Sequence, residues 1–359
     1  VGTGKATEVL DNNIKVTISC SEGETGKIYE GELNFSIEKI KVNSDMKFPV
    51  KLMMNIGNPE NSFTSSMIPN DGVGLARLEF IVSNHIKVHP LALSNYPKVR
   101  GDIKETIYKV LGDDHTNGKW FFVRRLARGI SKIASAFYPN NIIVRLSDFK
   151  SNEYKNLIGG EIYEPNEENP MIGWRGASRY YSDEYKKAFE LECQAILYAI
   201  ERMKMNNIII MIPFCRTPAE CKLVIEQMAK YGLIRGNNGL QIYLMCEIPS
   251  NVIEADQFSK MVDGVSIGGN DLLQLTLGVD RDSERITHLS NDENLSYRRM
   301  ISMAIKTYKE NGVKVGFCGQ QPSDSIEFCN FLISEGIDSI SVTPDSALKT
   351  LNNFGKSDV

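Results

Sequence analysis

Residues Ile208 to Glu247 read IIIMIPFCRTPAECKLVIEQMAKYGLIRGNNGLQIYLMCE. The opening run, Ile208–Ile212, is entirely apolar and of strand length, which is typical of a buried strand. Pro218–Tyr231 follows with the spacing of an amphipathic helix, and Ile242–Glu247 is a second apolar run. Two buried strands joined by a helix predict a parallel strand–helix–strand unit.

The same alternation extends over the chain from Phe48 onward. The predicted strands are Val50–Ile56, Gly72–Arg77, Ile142–Leu146, Ile208–Ile212, Ile242–Glu247, Gly264–Ile267, Val313–Phe317 and Ser339–Val342. Longer amphipathic stretches between them include Glu184–Met205 and Asn294–Asn311. Eight strands alternating with helices over about 300 residues predict an α/β fold of the (β/α)8 TIM-barrel type. The alternative is a doubly wound open sheet, which would carry a Gly-x-Gly-x-x-Gly turn after its first strand; the sequence has none.

The chain divides into a short N-terminal part, residues 1–40, and the barrel, residues 46–359. Within the first part, Ile14–Cys20 and Lys27–Glu30 predict a hairpin that is too small to form a core of its own. We therefore expect it to be the end of a domain whose body lies upstream, since the chain also lacks an initial Met. We expect the stretch from Ser83 to Asn140 to be a mostly helical insertion between the second and third barrel strands.

Composition narrows the class of protein. The chain is 42% hydrophobic and 24% charged, with a net charge of -4, and its Lys and Arg residues are spread along the sequence, which argues against nucleic-acid binding. The longest apolar runs have the length of strands, so we expect no membrane span. Seven scattered cysteines without a Cys-x-x-Cys pair predict reduced thiols and a cytoplasmic location.

Reactive side chains fall at the ends of the predicted strands. Arg77 ends the second strand, Arg145 lies within the third and Glu247 ends the fifth, while Asn270-Asp271 and Cys318 follow the sixth and seventh. In this type of barrel the carboxyl ends of the strands converge on the active site. The shared position predicts one site built from all of them.

Glu247 and Asp271 are the candidate metal ligands. Glu247 could also be a solvated strand-end carboxylate, and Asp271 could be a helix N-cap. Two carboxylates that face each other across a barrel mouth leave positions open for water and substrate, which is how proteins usually hold Mg²⁺. Gly268 and Gly269 would let backbone N–H groups approach an anion.

Arg77 and Arg145 interrupt apolar strands. Each could belong to a structural ion pair, because burying an arginine unpaired is costly. Alternatively, each guanidinium captures a carboxylate or phosphoryl group through two hydrogen bonds. Arg175 and Arg281 are weaker candidates of the same kind.

Cys318 lies between small residues in Gly316-Phe-Cys-Gly-Gln320. Such a thiol often only fills space. Beside a divalent cation and arginines it could instead be a proton donor or base, and we expect the cations to favour the thiolate.

Seven segments together resemble the phosphoenolpyruvate synthase (pyruvate, water dikinase) family. They run in order along the barrel: Ile68–Phe80, Val144–Asp148, Glu168–Tyr180, Met211–Phe214, Cys246–Asn251, Ser266–Leu272 and Gly316–Gln320. Two sister families share the barrel, namely pyruvate, phosphate dikinase and phosphotransferase-system enzyme I. Trp174–Tyr181, Glu247–Asn251 and Cys318–Asp324 are more similar to the synthase than to either sister. One departure is Gly269, where the family more often carries Ser or Thr.

The resemblance implies a role for each candidate. Arg77 and Arg145 would bind the pyruvate or phosphoenolpyruvate anion and Cys318 would be the proton donor. The remaining implied contacts are Glu247 and Asp271 to Mg²⁺, and Gly268, Gly269, Asn270 and Arg281 to the substrate. It also implies a homodimer.

Residues 1–40 would be the C-terminal remnant and linker of a swivelling phosphohistidine domain. That domain and an ATP-grasp domain would precede the chain, and the whole protein would convert ATP, pyruvate and water to AMP, phosphoenolpyruvate and phosphate. The alternatives are a barrel from either sister family, or a regulator that binds phosphoenolpyruvate without turning it over.

Overall fold

The computed structural model describes residues 9–11, 13–19, 26–36, 48–99, 101–112, 117–280, 283 and 285–355. The chain forms two units, Val1–Asp45 and Met46–Val359. In the first, β1 (Val16–Ser19) pairs antiparallel with β2 (Lys27–Glu30). The two predicted hairpin strands are therefore confirmed, while most of their connection lies outside the described residues.

The second unit is a closed barrel of eight parallel strands. They are β3 (Lys51–Ile56), β4 (Val73–Arg77), β5 (Ile142–Arg145), β6 (Ile208–Ile212), β7 (Ile242–Cys246), β8 (Gly264–Ile267), β9 (Lys314–Phe317) and β10 (Ser339–Val342). Neighbours pair in sequence order, and β10 closes the barrel on β3. The predicted (β/α)8 fold is confirmed.

Helices surround the barrel. They are α1 (Ser62–Ser66), α2 (Leu78–Ile81), α3 (Pro90–Asn95), α4 (Asp102–Leu111), α5 (Gly118–Phe137), α6 (Ser151–Lys155), α7 (Ala177–Tyr180), α8 (Lys186–Glu201), α9 (Pro218–Lys230), α10 (Pro249–Ile253), α11 (Ala255–Ser259), α12 (Gly269–Leu277), α13 (Leu295–Glu310), α14 (Gln321–Asp324), α15 (Ile326–Ser334) and α16 (Pro344–Gly355). The insertion between β4 and β5 is mostly helical, as predicted. No helix in the described part of the chain is long and apolar enough to cross a bilayer.

Helix ends follow local chemistry. The Thr217 side chain accepts a hydrogen bond from Glu220 N over 3.1 Å, and Pro218 occupies the first turn of α9. Both features favour a helix start at this position. At α13, Asn294 accepts from Ser296 N in the same way, over 2.9 Å.

Successive side chains of each barrel strand point to opposite faces of the sheet and so form two separate apolar clusters. Side chains such as Leu52, Met54 and Ile56 of β3 belong to the large core between the barrel and its helices. A second cluster fills the barrel interior and consists of Leu75, Ile143, Ile209, Met211, Tyr243, Met245 and Cys318. The interior is therefore packed, and the space for a ligand lies above this cluster, at the carboxyl ends of the strands.

Candidate functional site

A cavity of about 290 Å³ opens at the carboxyl ends of the strands. Seven of the nine predicted site residues line it: Arg77, Arg145, Gly268, Gly269, Asn270, Asp271 and Cys318. A larger cavity of about 540 Å³ lies beside the beginnings of β6 and β7, and none of the predicted residues lines it. In this fold the chemistry belongs to the carboxyl end, so position rather than size identifies the candidate site.

The eighth residue, Glu247, lies directly behind this cavity, in contact with residues that line it. The ninth, Arg281, lies outside the described residues.

Arg145, at the end of β5, has a structural partner as well as a place in the cavity. Its Nη2 donates to Glu79 Oε1 over 3.0 Å, and its Nη1 lies 3.7 Å from Asp148 Oδ2. The same Glu79 oxygen accepts from Asp148 N over 2.6 Å. Arg145 can therefore be both a member of a structural ion pair and an anion-binding residue, because the ion pair fixes its guanidinium at the cavity wall. Arg77, at the end of β4, stacks beside Phe80, with 5.5 Å between Cζ and the ring centroid.

Arg175 occupies the centre of the site, although the sequence made it only a weaker candidate. It donates to both oxygens of Asp148, over 3.1 Å to Oδ1 and 2.5 Å to Oδ2, and to Asp271 Oδ1 over 3.2 Å. Its guanidinium lies 4.0 Å above the Phe214 ring. One buried arginine thus joins the carboxylate that follows β5 to the carboxylate of α12.

Sequence reasoning gave no role to Asp148 or Glu79. Both follow barrel strands, so the strand-end rule that selected Glu247 could have selected them as well.

Glu247 is fully buried at the end of β7. Its Oε1 accepts a hydrogen bond from Phe214 N over 2.7 Å, while its Oε2 has no hydrogen-bond partner among the described residues. Burial, together with the neighbouring charges of Asp271 and Asp148, raises the pKa of Glu247 to about 8, although Arg175 and Arg145 lower it. The positive charges of the two arginines therefore do not balance the burial of Glu247 and its neighbouring carboxylates.

The backbone around Glu247 is held tightly. Asn251 Oδ1 accepts from Glu247 N over 3.2 Å, and its Nδ2 donates to Cys215 O over 2.7 Å. Phe214 has a φ of 44°, in the left-handed region that a residue with a side chain rarely adopts. A strained residue at a strand end, aimed at a buried carboxylate, is typical of a functional site.

Asp271 is the third residue of α12, whose N-cap is Gly268, so it is not the helix cap. A Cβ atom on Gly268 would lie 2.8 Å from Glu247 Oε2 and 2.8 Å from Met245 Cε. Only glycine therefore lets the chain pass this close to Glu247. Asn270 Oδ1 accepts a long bond of 3.4 Å from Gln320 N.

Cys318 is 5% exposed and lies at the cavity wall, with its Sγ 3.6 Å from Ile267 O. The nearby arginines Arg145 and Arg77 lower the pKa of Cys318, which is the direction we expect of cations, but burial has the larger effect. Burial raises the pKa of Cys318 to about 11, and Glu247 raises it too, which outweighs the lowering by Ser266, Arg145 and Arg77. The resting group is a protonated thiol, which suits a proton donor.

The carboxylates fit a divalent cation in one specific way. Among the described residues, no three His, Cys, Asp or Glu side chains are arranged to hold a metal ion by themselves. Glu247 and Asp271, however, are close enough for each charge to act on the other, and Glu247 Oε2 is buried without a partner. Mg²⁺ commonly takes one or two carboxylates and completes its shell with water and substrate oxygens.

The loop that carries Arg175 is anchored from behind by a buried ion pair. Arg179 donates to Glu164 over 2.9 and 2.6 Å, and Glu164 Oε1 lies 3.0 Å from His89 Nε2. The Trp174 ring lies 4.0 Å from the Arg179 guanidinium, and Tyr154 lies 4.7 Å from it. This arrangement holds both ends of the segment from residue 164 to residue 179.

Comparisons with known proteins show which family the chain belongs to. The family described as "PEP-utilising enzyme, PEP-binding domain" matches residues 35–358. The chain is 54% identical to a phosphoenolpyruvate synthase from Synechocystis sp., over 98% of this chain and 43% of that protein. It is 48% identical to the phosphoenolpyruvate synthase of Aquifex aeolicus, over 98% of this chain and 46% of that protein. It is 49% identical to the phosphoenolpyruvate synthase of Escherichia coli, over 98% of this chain and 44% of that protein. The chain thus spans less than half the length of these relatives.

Proposed function

Because the chain belongs to the PEP-binding domain family of the PEP-utilising enzymes, we propose that it is the pyruvate- and phosphoenolpyruvate-binding part of a phosphoenolpyruvate synthase. One arrangement supports this function above all others. A buried carboxylate with an unpartnered oxygen, Glu247, lies beside Asp271 at a cavity that arginines and a thiol also line. A divalent cation would be held by the carboxylates, and a small dianion bound to that cation would also be held by the arginines.

Glu247 and Asp271 would hold Mg²⁺. A cation there would offset the burial and the repulsion from Asp271 that together raise the pKa of Glu247. When bound, Mg²⁺ would withdraw charge from the keto oxygen of pyruvate and so make its methyl protons more acidic.

Arg77, Arg145 and Arg175 would bind the anionic groups of the substrate. Their guanidinium groups are planar and offer parallel N–H pairs that match carboxylate and phosphoryl oxygens. Gly268, Gly269 and Asn270 would line the substrate at the start of α12, where backbone N–H groups favour negative charge. Arg281 stays a prediction as a further substrate contact.

Cys318 would handle the proton. Its raised pKa keeps the thiol protonated until a strongly basic carbon lies beside it. In the direction of pyruvate formation, the phosphoryl group of phosphoenolpyruvate leaves for a histidine, and the thiol then donates its proton to C3. In the reverse direction the thiolate removes a methyl proton, and the enolate oxygen attacks the phosphohistidine.

The whole protein, by this proposal, converts ATP, pyruvate and water to AMP, phosphoenolpyruvate and phosphate. An upstream ATP-grasp domain and a phosphohistidine domain would supply the phosphoryl group to this barrel. We propose that residues 1–40 are the remnant and linker of the latter, and that the protein is a cytoplasmic homodimer.

Calorimetric titration of this chain with oxalate, a planar mimic of the pyruvate enolate, tests the proposal. Oxalate should bind only when Mg²⁺ is present, and phosphoenolpyruvate should compete with it. Succinate is the control, because its two carboxylates are too far apart to chelate one cation in the same way. Equal binding of oxalate with and without Mg²⁺, or no competition by phosphoenolpyruvate, would contradict the proposed function.

A further inference from the structure

The side chain of Asn55 makes no hydrogen bond to any residue that the structure describes, although it is only 8% exposed. Its Oδ1 is closed off from solvent without a donor. A buried carboxamide normally finds partners, and leaving one without them costs about 1–3 kcal/mol. Such a group requires a reason for its place in the barrel.

The amide lies where a ligand could reach it. Along β3, Leu52, Met54 and Ile56 pack into the outer core, so the alternation of the strand places Asn55 on the inner face. Asn55 also lines the cavity shared by Arg77, Arg145 and Cys318.

The backbone changes register at the same place. The pairing of β3 with β4 shifts between Met54 and Asn55, and Asn55 then lies opposite Leu75. Irregularities of this kind redirect a side chain and occur often beside active sites.

A second buried asparagine shows what a structural amide looks like in this fold. Asn207, at the other end of the barrel, is 3% exposed, and its Oδ1 also lacks a donor, but its Nδ2 donates to Ala134 O over 3.0 Å and to Asn140 O over 2.8 Å. Those bonds tie the start of β6 to the preceding loop. The side chain of Asn55 links no two parts of the chain that the structure describes.

We infer that Asn55 is a substrate-binding residue whose Nδ2 donates a hydrogen bond to an anionic oxygen of the ligand. The identity of that ligand, pyruvate or phosphoenolpyruvate, rests on the proposed function. At neutral pH the carboxylate and keto groups of pyruvate carry only acceptors, so the amide must present its donor. A neutral donor strengthens anion binding without adding another positive charge to the arginines.

Replacement of Asn55 separates this role from a structural one. Asn55→Leu removes the amide and keeps the branched shape of the side chain with somewhat more bulk, so affinity for Mg²⁺–oxalate and for phosphoenolpyruvate should fall by about 10- to 100-fold, the range for a hydrogen bond to a charged group. The unfolding temperature of the ligand-free protein should be unchanged or higher, because a buried group without a partner has been removed. Asn207→Leu is the matched control: it should lower the unfolding temperature and leave both affinities unchanged.

Two outcomes overturn the inference. One is wild-type affinity for both anions in Asn55→Leu; the other is a lower ligand-free unfolding temperature with affinities reduced only in proportion to the unfolded fraction. Should the Leu variant fail to fold, Asn55→Ala gives the same affinity test without added bulk. If the wild-type chain itself binds neither anion, the proposed function fails first, and the two failures are thereby distinguished.

Discussion

The backbone N–H of Phe214 donates to Glu247 Oε1 over 2.7 Å, from a residue with a φ of 44°. The ring of the same residue lies 4.0 Å below the guanidinium of Arg175. Phe214 therefore fixes a carboxylate with its main chain and an arginine with its side chain. Backbone strain here is the cost of holding both charged groups at the same cavity.

Removal of either candidate metal ligand should abolish Mg²⁺-dependent oxalate binding. Glu247→Gln and Asp271→Asn each keep the shape of the side chain and remove the negative charge that a cation needs. Calorimetry measures the affinity, and the controls are two exposed residues, Glu254→Gln in the turn between α10 and α11 and Asp256→Asn on α11. Unchanged binding in both site variants would remove these residues from the metal site.

Arg77→Lys should weaken phosphoenolpyruvate binding by about 1.5–3 kcal/mol, since lysine keeps the charge but loses the planar pair of donors. Titration with phosphoenolpyruvate in the presence of Mg²⁺ gives the change. Arg235 Nη2 lies 2.9 Å from Asp263 Oδ1, and this pair does not line the cavity. Arg235→Lys should therefore leave the affinity for phosphoenolpyruvate unaltered. If Lys at position 77 binds as tightly as Arg, Arg77 is structural.

Cys318→Ala should separate binding from chemistry. Mg²⁺–oxalate affinity should stay close to that of the wild type, because no proposed ligand contact is lost. Exchange of the pyruvate methyl protons with deuterium from D2O, followed by NMR, should slow by at least ~10²-fold, as expected for the loss of a general acid–base group. Cys329→Ala is the control, since this buried thiol belongs to α15 and does not line the cavity. Near-normal exchange in Cys318→Ala would show that another group moves the proton.

Glu192 should make stability depend on pH. It is fully buried on α8, its Oε1 accepts from Ser147 N over 2.8 Å, and burial raises its pKa from 4.5 to about 7. The folded state therefore holds this proton more tightly than the unfolded state, so the free energy of unfolding falls as pH rises from about 4.5 to about 7 and then levels off.

Glu192→Gln removes this dependence and keeps an acceptor for Ser147. Relative to the wild type, it should gain up to about 3 kcal/mol between pH 4.5 and pH 7. Urea denaturation at several pH values gives the difference, and Glu201→Gln, exposed at the end of the same helix, should show none. A constant difference across the pH range would mean that the pKa of Glu192 is unshifted.

The fold could be predicted because its strands are short apolar runs that differ sharply from the amphipathic helices between them. Predicted and observed strands agree except at their ends; Glu247, for example, lies just beyond β7. The geometry of the site was harder to predict. Asp148 and Arg175 are far apart in the sequence, so their contact depends on the folded loop between them. The burial that keeps Cys318 protonated likewise depends on packing by residues of several strands.

The role inferred for Asn55 could not be predicted from the sequence for a different reason. Within Lys51–Ile56 it is one neutral polar residue in an apolar strand, and such a residue carries no sign of whether it will find a partner. Only the folded barrel shows that it finds none among the described residues.

The buried pair of Arg179 and Glu164, enclosed by Trp174 and Tyr154, has a consequence for how the site meets its ligand. Arg175 lies between Glu164 and Arg179 on a segment that is already ordered, so its guanidinium is preorganised. Under the proposed function, binding energy from the substrate would then not be needed to order this arginine and would remain available to favour the transferring phosphoryl group.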